Sequence, residues 1–269
     1  MFEKSVGDAF FYRSTGVSDE DFEHFEPQPT TAGPWTPDAQ HGGPPAALLA
    51  RGIERLDAAT DRVIGRFTME LWGPVPMGPV AVHARVLRPG RSVALAESEL
   101  YDVARERVAA VGHAWLFPQV DDGPSAERQP LAHTPDDGTS RPRPPEWHGG
   151  YLDAIEWRWI KGGVDEAGPG VVWMRPPGLV EGEPLSPVQR LLACVDSASG
   201  ASAALDVRQW GFLNTELTVH VLRPPEGEWV CLDAETSFGG GAVGLATSDV
   251  YDQGGLVARS GQALLVAPR

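Results

Sequence analysis

Two short segments of the chain carry groups that could stabilise negative charge and activate water. Gly42 and Gly43 follow His41 and precede two prolines, where a helix is predicted to begin. Unpaired amides at a helix N-terminus lie at the positive end of the helix dipole, so a glycine amide there could bind a developing oxyanion. Asp196 lies in a mostly apolar segment, and its carboxylate could activate a water molecule.

Each of these residues has a simpler alternative role. The glycine pair could serve only to turn the chain into the helix. Asp196 could cap backbone amides within its Asp-Ser-Ala-Ser-Gly segment. A lone histidine such as His41 more often fixes a loop than acts as a base. The residue types alone are therefore compatible with both the catalytic and the structural roles.

Other kinds of chemistry have no counterpart in the sequence. There is no Gly-x-Ser-x-Gly elbow of an α/β-hydrolase, no metal-ligand spacing and no phosphate-binding glycine loop. The formal net charge of −15 argues against nucleic acid as a partner, because phosphate binding needs a basic surface. With two cysteines, no apolar segment of membrane-spanning length and no secretory signal, the 269-residue chain is predicted to be cytoplasmic.

The chain contains an internal duplication. A shift of 150 residues superimposes 67–102 on 217–252 without a gap, and 11 of the 36 pairs are identical. Chance would give roughly two to three identities at average residue usage. After a one-residue deletion, Gly112-His113-Ala114 aligns with Gly261-Gln262-Ala263, which predicts that His113 is the repeat partner of Gln262.

Hydrophobic patterning predicts the same elements in both copies. Apolar and polar residues alternate in the duplicated segments and again near 108–117 and 256–266, which indicates antiparallel strands with one buried face. A helix precedes each set of strands. The first begins near Pro44, and the second occupies the apolar segment 185–203 with Ser186 as its N-cap. Seven prolines in 118–145 predict an exposed connector.

This order of elements and motifs resembles the double-hotdog acyl-CoA thioesterase II family. The motifs that carry the resemblance are Gln40-His41-Gly42-Gly43-Pro44-Pro45, Leu191-Leu192-Ala193-Cys194-Val195-Asp196, Arg223-Pro224 and Ser260-Gly261-Gln262-Ala263. The resemblance implies an α+β double hotdog, with two tandem repeats that each wrap an antiparallel sheet around a central helix. It divides the chain into an N-terminal half (1–117), a Pro-rich connector (118–148) and a C-terminal half (149–269).

The resemblance also implies catalytic residues. In thioesterase II-like proteins an Asp, a Thr and a Gln together hold the nucleophilic water. Asp196 and Gln262 match the first and last of these. The Thr position falls on Asn214, with Thr215 adjacent, so the sequence departs from the family pattern at this place. Since Asn can also orient water through its amide, both residues are candidates for the site.

A single composite site is predicted from the uneven distribution of these groups. In relatives with a His-Gly-Gly loop, a Gly amide polarises the thioester carbonyl, which implies an oxyanion or substrate-binding role for Gly42 or Gly43 beside His41. A carboxylate follows nine residues after the His in single-hotdog relatives, but here that position is Ala50. Because donor and carboxylate come from opposite subunits in such enzymes, a fused chain could combine Gly42 and Gly43 with Asp196.

Arg88 and Arg91 are candidates to meet the phosphates of CoA. They lie in a turn of the first half whose repeat partner, Phe238-Gly239-Gly240-Gly241, has no charge. A solvated turn with incidental arginines is the alternative interpretation.

The function predicted by the resemblance is hydrolysis of an acyl-CoA thioester, with CoA as part of the substrate and no metal or other cofactor. A non-catalytic acyl-thioester binding protein is the main alternative, and a hotdog hydratase or dehydratase is a third. Beyond the acyl-CoA substrate, the predicted partner is a second copy of the chain in a dimer or tetramer, with no nucleic acid and no membrane span.

Overall fold

The computed structural model describes residues 9–19, 22–120, 123–124, 128, 130–143, 147–164 and 166–269. Within these residues, fourteen strands pair edge to edge in one sheet, and four α-helices accompany them. Every strand pair is antiparallel except β1 with β9. A large antiparallel sheet with few helices agrees with the predicted α+β class.

The first half follows the predicted order of one helix and four strands. Two strands that the sequence did not predict come first, β1 (Phe10–Asp19) and β2 (Phe22–Pro27). Helix α1 (Gly43–Glu54) starts as predicted and is followed by β3 (Arg62–Leu71), β4 (Val80–Arg88), β5 (Ala94–Asp102) and β6 (Arg107–Pro118).

The second half begins with α2 (Gly150–Ala154), β7 (Glu156–Gly163), β8 (Glu166–Arg175) and β9 (Gly178–Val180). Strands β7 and β8 are the counterparts of β1 and β2, because β8 pairs with β12 (Val230–Phe238) as β2 pairs with β4, and β7 pairs with β8 as β1 pairs with β2. The repeated part consists of α3 (Pro187–Val195), α4 (Ala198–Ala201), β10 (Trp210–Asn214), β11 (Glu216–Val221), β12 (Val230–Phe238), β13 (Val243–Asp252) and β14 (Gly255–Pro268).

The predicted second helix is interrupted. Ser186 caps its start as predicted, since its hydroxyl accepts a hydrogen bond from the Gln189 amide at 3.1 Å. The prediction of one continuous helix over 185–203 is wrong, because α3 ends at Val195 and α4 begins at Ala198. Asp196 therefore lies at the break between two helices and not inside one.

The two copies meet at the middle of the sheet through β3 and β11. Thr68 is paired with Thr218, and Glu70 is paired with Glu216. Because Thr68 and Thr218 are equivalent under the 150-residue shift, this pairing relates the two copies by a local two-fold arrangement. A continuous sheet thus joins strands from both halves of the chain.

The strand register corrects the predicted alignment of the last strand. Ala96 pairs with Ala114 in the first copy, and the equivalent Ala246 pairs with Gln262 in the second. Gln262 therefore corresponds to Ala114, and the prediction that His113 is its partner is wrong by one residue. The physical reason is the hairpin length, because four residues separate Asp102 from Arg107 whereas two separate Asp252 from Gly255. A shift of one residue places side chains on opposite faces of a sheet.

Helices α1 and α3 pack against each other in the core. A Cβ atom built on Gly43 would lie 2.3 Å from the Ala193 carbonyl oxygen, so the backbones approach closely at the start of α1. Leu48, Leu49 and Leu192 are fully buried around this contact. Packing of the two helices therefore brings the N-terminus of α1 beside the C-terminus of α3.

Candidate active site

Asp196 is the centre of a buried polar cluster. Its side chain is 4% exposed, and its Oδ1 accepts hydrogen bonds from Asn214 Nδ2 at 2.8 Å and Gln262 Nε2 at 3.0 Å. Asn214 ends β10, while Gln262 extends from β14 and is fully buried. Two neutral amides thus fix the orientation of one carboxylate and leave its Oδ2 free of both.

The alternative in which Asp196 caps backbone amides of its own segment does not describe this cluster. The hydrogen bonds that the Asp196 carboxylate accepts in the described part of the chain come from side-chain amides, not from backbone amides of its own segment. Gln262 does bond backbone as well: Nε2 donates to the Asp196 carbonyl oxygen at 3.2 Å, and Oε1 accepts from the Ser199 amide at 3.3 Å. Gln262 therefore holds both the carboxylate and the break between α3 and α4.

The first half contributes His41 and Gly42 to the same place. His41 Nδ1 lies 3.2 Å from Asp196 Oδ2. A Cβ on Gly42 would lie 2.7 Å from Oδ2 and 2.8 Å from Oδ1, which is too close for any side chain. The structure thus brings together the groups that the sequence placed in separate halves.

The amide of Gly43 is not available to a ligand in this arrangement. Gly43 donates its backbone N–H to His41 Nδ1 at 3.1 Å, and the next two residues are prolines without an N–H. By contrast, no described residue accepts a hydrogen bond from the Gly42 amide, and Gly42 lines the cavity beside Asp196. Of the two glycines, only Gly42 therefore remains a candidate to bind an oxyanion through its amide.

Burial of His41 favours the neutral form of its imidazole. Burial lowers the pKa of the imidazole below its usual value of 6.5, and the Asp196 carboxylate opposes this shift. Because Nδ1 accepts the Gly43 N–H, the ring proton belongs on Nε2. The unprotonated Nδ1 lies 3.2 Å from Oδ2 of Asp196, but its lone pair already accepts the Gly43 N–H, so a proton taken up here belongs on Asp196.

Tyr151 supports His41 from the other side. The two rings stack with centroids 3.7 Å apart and planes 3° from parallel. Burial raises the pKa of Tyr151 well above 10.0, and its hydroxyl donates to the Ala193 carbonyl oxygen at 2.7 Å. Tyr151 was not among the predicted site residues, because α2 lies outside the segments that the duplication aligned.

Three predicted site residues are not part of the polar cluster. Thr215 lines the cavity, but its hydroxyl contacts the Ala263 carbonyl oxygen at 3.4 Å and not Asp196. Arg88 and Arg91 are exposed in the turn between β4 and β5, and neither lines the cavity that contains Asp196. The Arg88 guanidinium lies 5.8 Å from the centre of the Trp115 ring, so it covers an aromatic side chain of its own sheet.

The equivalent place in the first half lacks the polar groups. Strand pairing makes Ile64 the counterpart of Asn214, because Ile64 pairs with Leu116 as Asn214 pairs with Leu264. Ala114 takes the place of Gln262. Two apolar residues replace the two amides, so the chain contains this arrangement of Asn, Gln and Asp once in its described part.

A cavity of about 840 Å³ opens beside Asp196. Asn214, Gly42 and His41 line it on the polar side. The rest of the wall includes residues that the sequence did not indicate, among them Trp35, Trp147, Trp157, Trp159, Arg141 and Arg143. The prediction of an exposed connector over 118–145 is wrong at Pro135, which is buried. Trp147, just beyond this range, is 3% exposed.

Arg141 and Arg143, which line the cavity, are candidates to bind an anionic group in place of Arg88 and Arg91. Arg143 pairs with Asp153 at 2.6 Å, and Arg141 pairs with Glu166. Their position at the cavity is set by backbone pairing of Thr139 with Trp159 on β7. Both charges are already balanced by carboxylates, so an anionic ligand would have to compete with these acids.

Within the described residues, no cluster of His, Cys, Asp and Glu could hold a metal ion. No helix in the same part of the chain is long and apolar enough to cross a membrane. The two cysteines, Cys194 and Cys231, are buried free thiols, and burial raises the pKa of each.

Comparison with known protein families assigns the class. Residues 31–117 match the family model of the acyl-CoA thioesterase N-terminal domain, and residues 135–266 match that of the acyl-CoA thioesterase C-terminal domain. The chain therefore belongs to the acyl-CoA thioesterase family. Comparison with curated proteins gave no significant match.

Solved structures show the same fold at low sequence identity. A provisionally assigned thioesterase II from Thermobifida fusca YX is 20% identical, with a TM-score of 0.72 and 95% of each chain covered. A conserved hot dog-fold protein of unknown function from Alicyclobacillus acidocaldarius is 17% identical, with a TM-score of 0.73 and 99% of each chain covered. The acyl-CoA thioesterase II TesB2 from Mycobacterium marinum is 15% identical, with a TM-score of 0.65 and 93% of each chain covered. The chain thus has a hotdog fold.

Proposed function

We propose that this protein hydrolyses acyl-CoA thioesters to a free acid and CoA. The site is composite: Asp196, Asn214 and Gln262 come from the C-terminal half, and His41 and Gly42 come from the N-terminal half of a double hotdog. One observation carries the proposal. The Asp196 carboxylate, held by two amides on Oδ1, lies at a cavity that is also lined by Gly42, whose amide has no acceptor in the described chain.

In the proposed reaction, water attacks the thioester carbonyl carbon. Asp196 takes a proton from this water through Oδ2, while Asn214 and Gln262 keep the carboxylate oriented. The Gly42 amide donates a hydrogen bond to the carbonyl oxygen as it becomes an oxyanion. Collapse of the tetrahedral intermediate breaks the carbon–sulfur bond, and the CoA thiolate leaves and receives the proton from Asp196. The products are one carboxylic acid and one thiol for each water consumed.

A non-catalytic acyl-thioester binding protein is the second candidate. The observation that favours it is Asn214, which stands where the family pattern has a Thr. Asn214 Nδ2 donates hydrogen bonds to Asp196 Oδ1 and, at 3.3 Å, to the Glu216 carbonyl oxygen. Its two N–H groups are therefore both engaged, whereas the hydroxyl of a Thr could still bind the water. Both candidates predict binding, and only the first predicts turnover.

The experiment measures release of free thiol from a panel of acyl-CoAs, with binding of a thioether analogue measured by calorimetry. We expect thiol and acid in equal amounts, and one analogue bound per chain because Ile64 and Ala114 remove the second polar cluster. Binding of the analogue without thiol release from any acyl-CoA would establish the second candidate instead. Absence of both would reject the two candidates together.

A further inference from the structure

The wall of the cavity beyond the polar cluster is unusually rich in tryptophan. The chain has nine tryptophans, and four of them, Trp35, Trp147, Trp157 and Trp159, line this one cavity. Trp157 and Trp159 lie on the same side of β7, with ring centroids 6.1 Å apart and planes 11° from parallel. Trp35 and Trp147 meet edge to face at 5.5 Å and 79°. The cavity is therefore bounded by flat indole surfaces in more than one orientation.

The indoles adjoin the polar cluster through a short series of ring contacts. His41, which contacts Asp196, stacks on Tyr151. Tyr151 in turn meets Trp157 edge to face, with centroids 6.3 Å apart. Because Trp157 lines the same cavity as Asp196 and Gly42, a group bound beside Asp196 can reach the indoles.

The orientation of the β7 tryptophans is fixed before any ligand arrives. Trp157 Nε1 donates a hydrogen bond to the Leu152 carbonyl oxygen at 2.9 Å. The backbone of Trp159 pairs with Thr139 in both directions, at 2.8 and 3.0 Å, and its side chain is 4% exposed. Because these side chains are already ordered, binding a rigid planar group does not require them to lose further conformational freedom.

We propose that the acyl group accepted by this cavity carries an aromatic ring, and that Trp157 and Trp159 select it. This inference rests on the proposed function and names its substrate class. Aromatic rings gain from offset and edge-to-face contacts with other rings beyond the burial of their area. Aliphatic residues also line the cavity, including Leu152, Ile155 and Val164, but they accept a ring or a flexible chain equally. The fixed indoles supply the preference, because an alkyl chain must lose rotational freedom to lie against them.

The test compares acyl-CoAs with equal numbers of acyl carbons. Phenylacetyl-CoA carries an aromatic ring, cyclohexylacetyl-CoA carries a saturated ring and octanoyl-CoA carries a straight chain. We expect kcat/KM for phenylacetyl-CoA to exceed that for octanoyl-CoA by about tenfold, with cyclohexylacetyl-CoA between them. In Trp157→Leu this ratio should fall towards one, mainly through loss on the aromatic substrate, while Trp157→Phe should retain part of it. Trp229→Leu, which changes a partly buried tryptophan outside the cavity, should keep the wild-type ratio.

The outcomes separate this inference from the proposed function. Equal or faster hydrolysis of octanoyl-CoA by the wild-type protein would overturn the aromatic preference and leave the thioesterase activity intact. If no thioester is hydrolysed, calorimetry with the thioether analogues of the same three acyl-CoAs still tests the cavity. Tighter binding of the phenyl analogue, abolished by Trp157→Leu, would support the inference, and equal binding of all three would refute it.

Discussion

Gly42 lies so close to Asp196 that a single methyl group on the glycine would be 2.7 Å from the carboxylate. The contact joins the two halves of the chain, since Gly42 precedes α1 and Asp196 follows α3. Close approach of the two helices thus places a backbone amide and a buried carboxylate at one end of the cavity. This proximity requires glycine at position 42 for steric reasons alone, in addition to any role of its amide.

Gly42→Ala should therefore displace the Asp196 carboxylate and lower kcat by more than tenfold, because loss of alignment at a reacting centre is costly. Thiol release from a saturating acyl-CoA measures the effect. Gly211→Ala is a suitable control, since its Cβ would come no closer than 3.8 Å to the Ala267 carbonyl oxygen. An unchanged kcat in Gly42→Ala would show that the close contact is not needed for turnover.

Asn214 and Thr215 are adjacent, but their substitution should have different effects. Asn214→Leu removes the 2.8 Å hydrogen bond to Asp196 at similar volume, and we expect kcat to fall about 10²-fold. Thr215→Val should change kcat less than threefold, because the Thr215 hydroxyl makes a long contact with a backbone carbonyl oxygen. Equal losses in the two variants would return Thr215 to the catalytic role predicted from the sequence.

The buried His41 should make stability depend on pH below its usual pKa. Burial lowers its pKa in the folded protein, so between that value and 6.5 the unfolded chain binds a proton that the folded chain does not. The free energy of unfolding should therefore fall as the pH drops below 6.5. His41→Gln should flatten this dependence between pH 7 and 5.5 in urea titrations, whereas the exposed His148→Gln should keep the wild-type slope.

Arg51 should contribute strongly to stability without a role in catalysis. Its guanidinium is 3% exposed and makes hydrogen bonds of 2.7 to 2.9 Å to both Glu23 and Glu183. Arg51→Met would leave two partly buried carboxylates without their partner, at a cost of about 3 kcal/mol in urea unfolding. Arg13→Met, which breaks a half-exposed pair with Glu181, should change the midpoint little. Similar midpoints for the two variants would contradict this assignment.

The repeated strands and α1 could be predicted because their physical signals are local. Period-2 alternation in β3, β4, β12 and β13 and the prolines at the start of α1 were sufficient for these elements. The composite arrangement of Asp196 with Gly42 could also be anticipated, because each half lacks what the other supplies. The roles of these residues, the domain limits, a dimer or tetramer and a cytoplasmic location stay predictions.

Other features depend on packing that the sequence does not display. The tryptophan wall is formed mainly by β7 and the segment before α2, and the 150-residue shift that aligned the other strands did not reveal that β7 corresponds to β1. The break at Asp196 could not be read from an apolar run that suits one helix. Gln262 is equivalent to Ala114 of the first copy only because the last hairpin is two residues shorter in the second copy. A one-residue error in this alignment was enough to suggest the partly buried His113 as the counterpart of Gln262.

The most direct test of the account is thiol release by Asp196→Asn, which keeps the size of the side chain but removes the base. We expect a fall in kcat/KM of about 10²-fold or more, with analogue binding and the thermal midpoint close to those of the wild-type protein. Asp249→Asn, at an exposed acid paired with Arg259, should retain full activity. Undiminished hydrolysis by a folded Asp196→Asn protein would contradict the account, because the cluster around Asp196 would then not be the site of reaction.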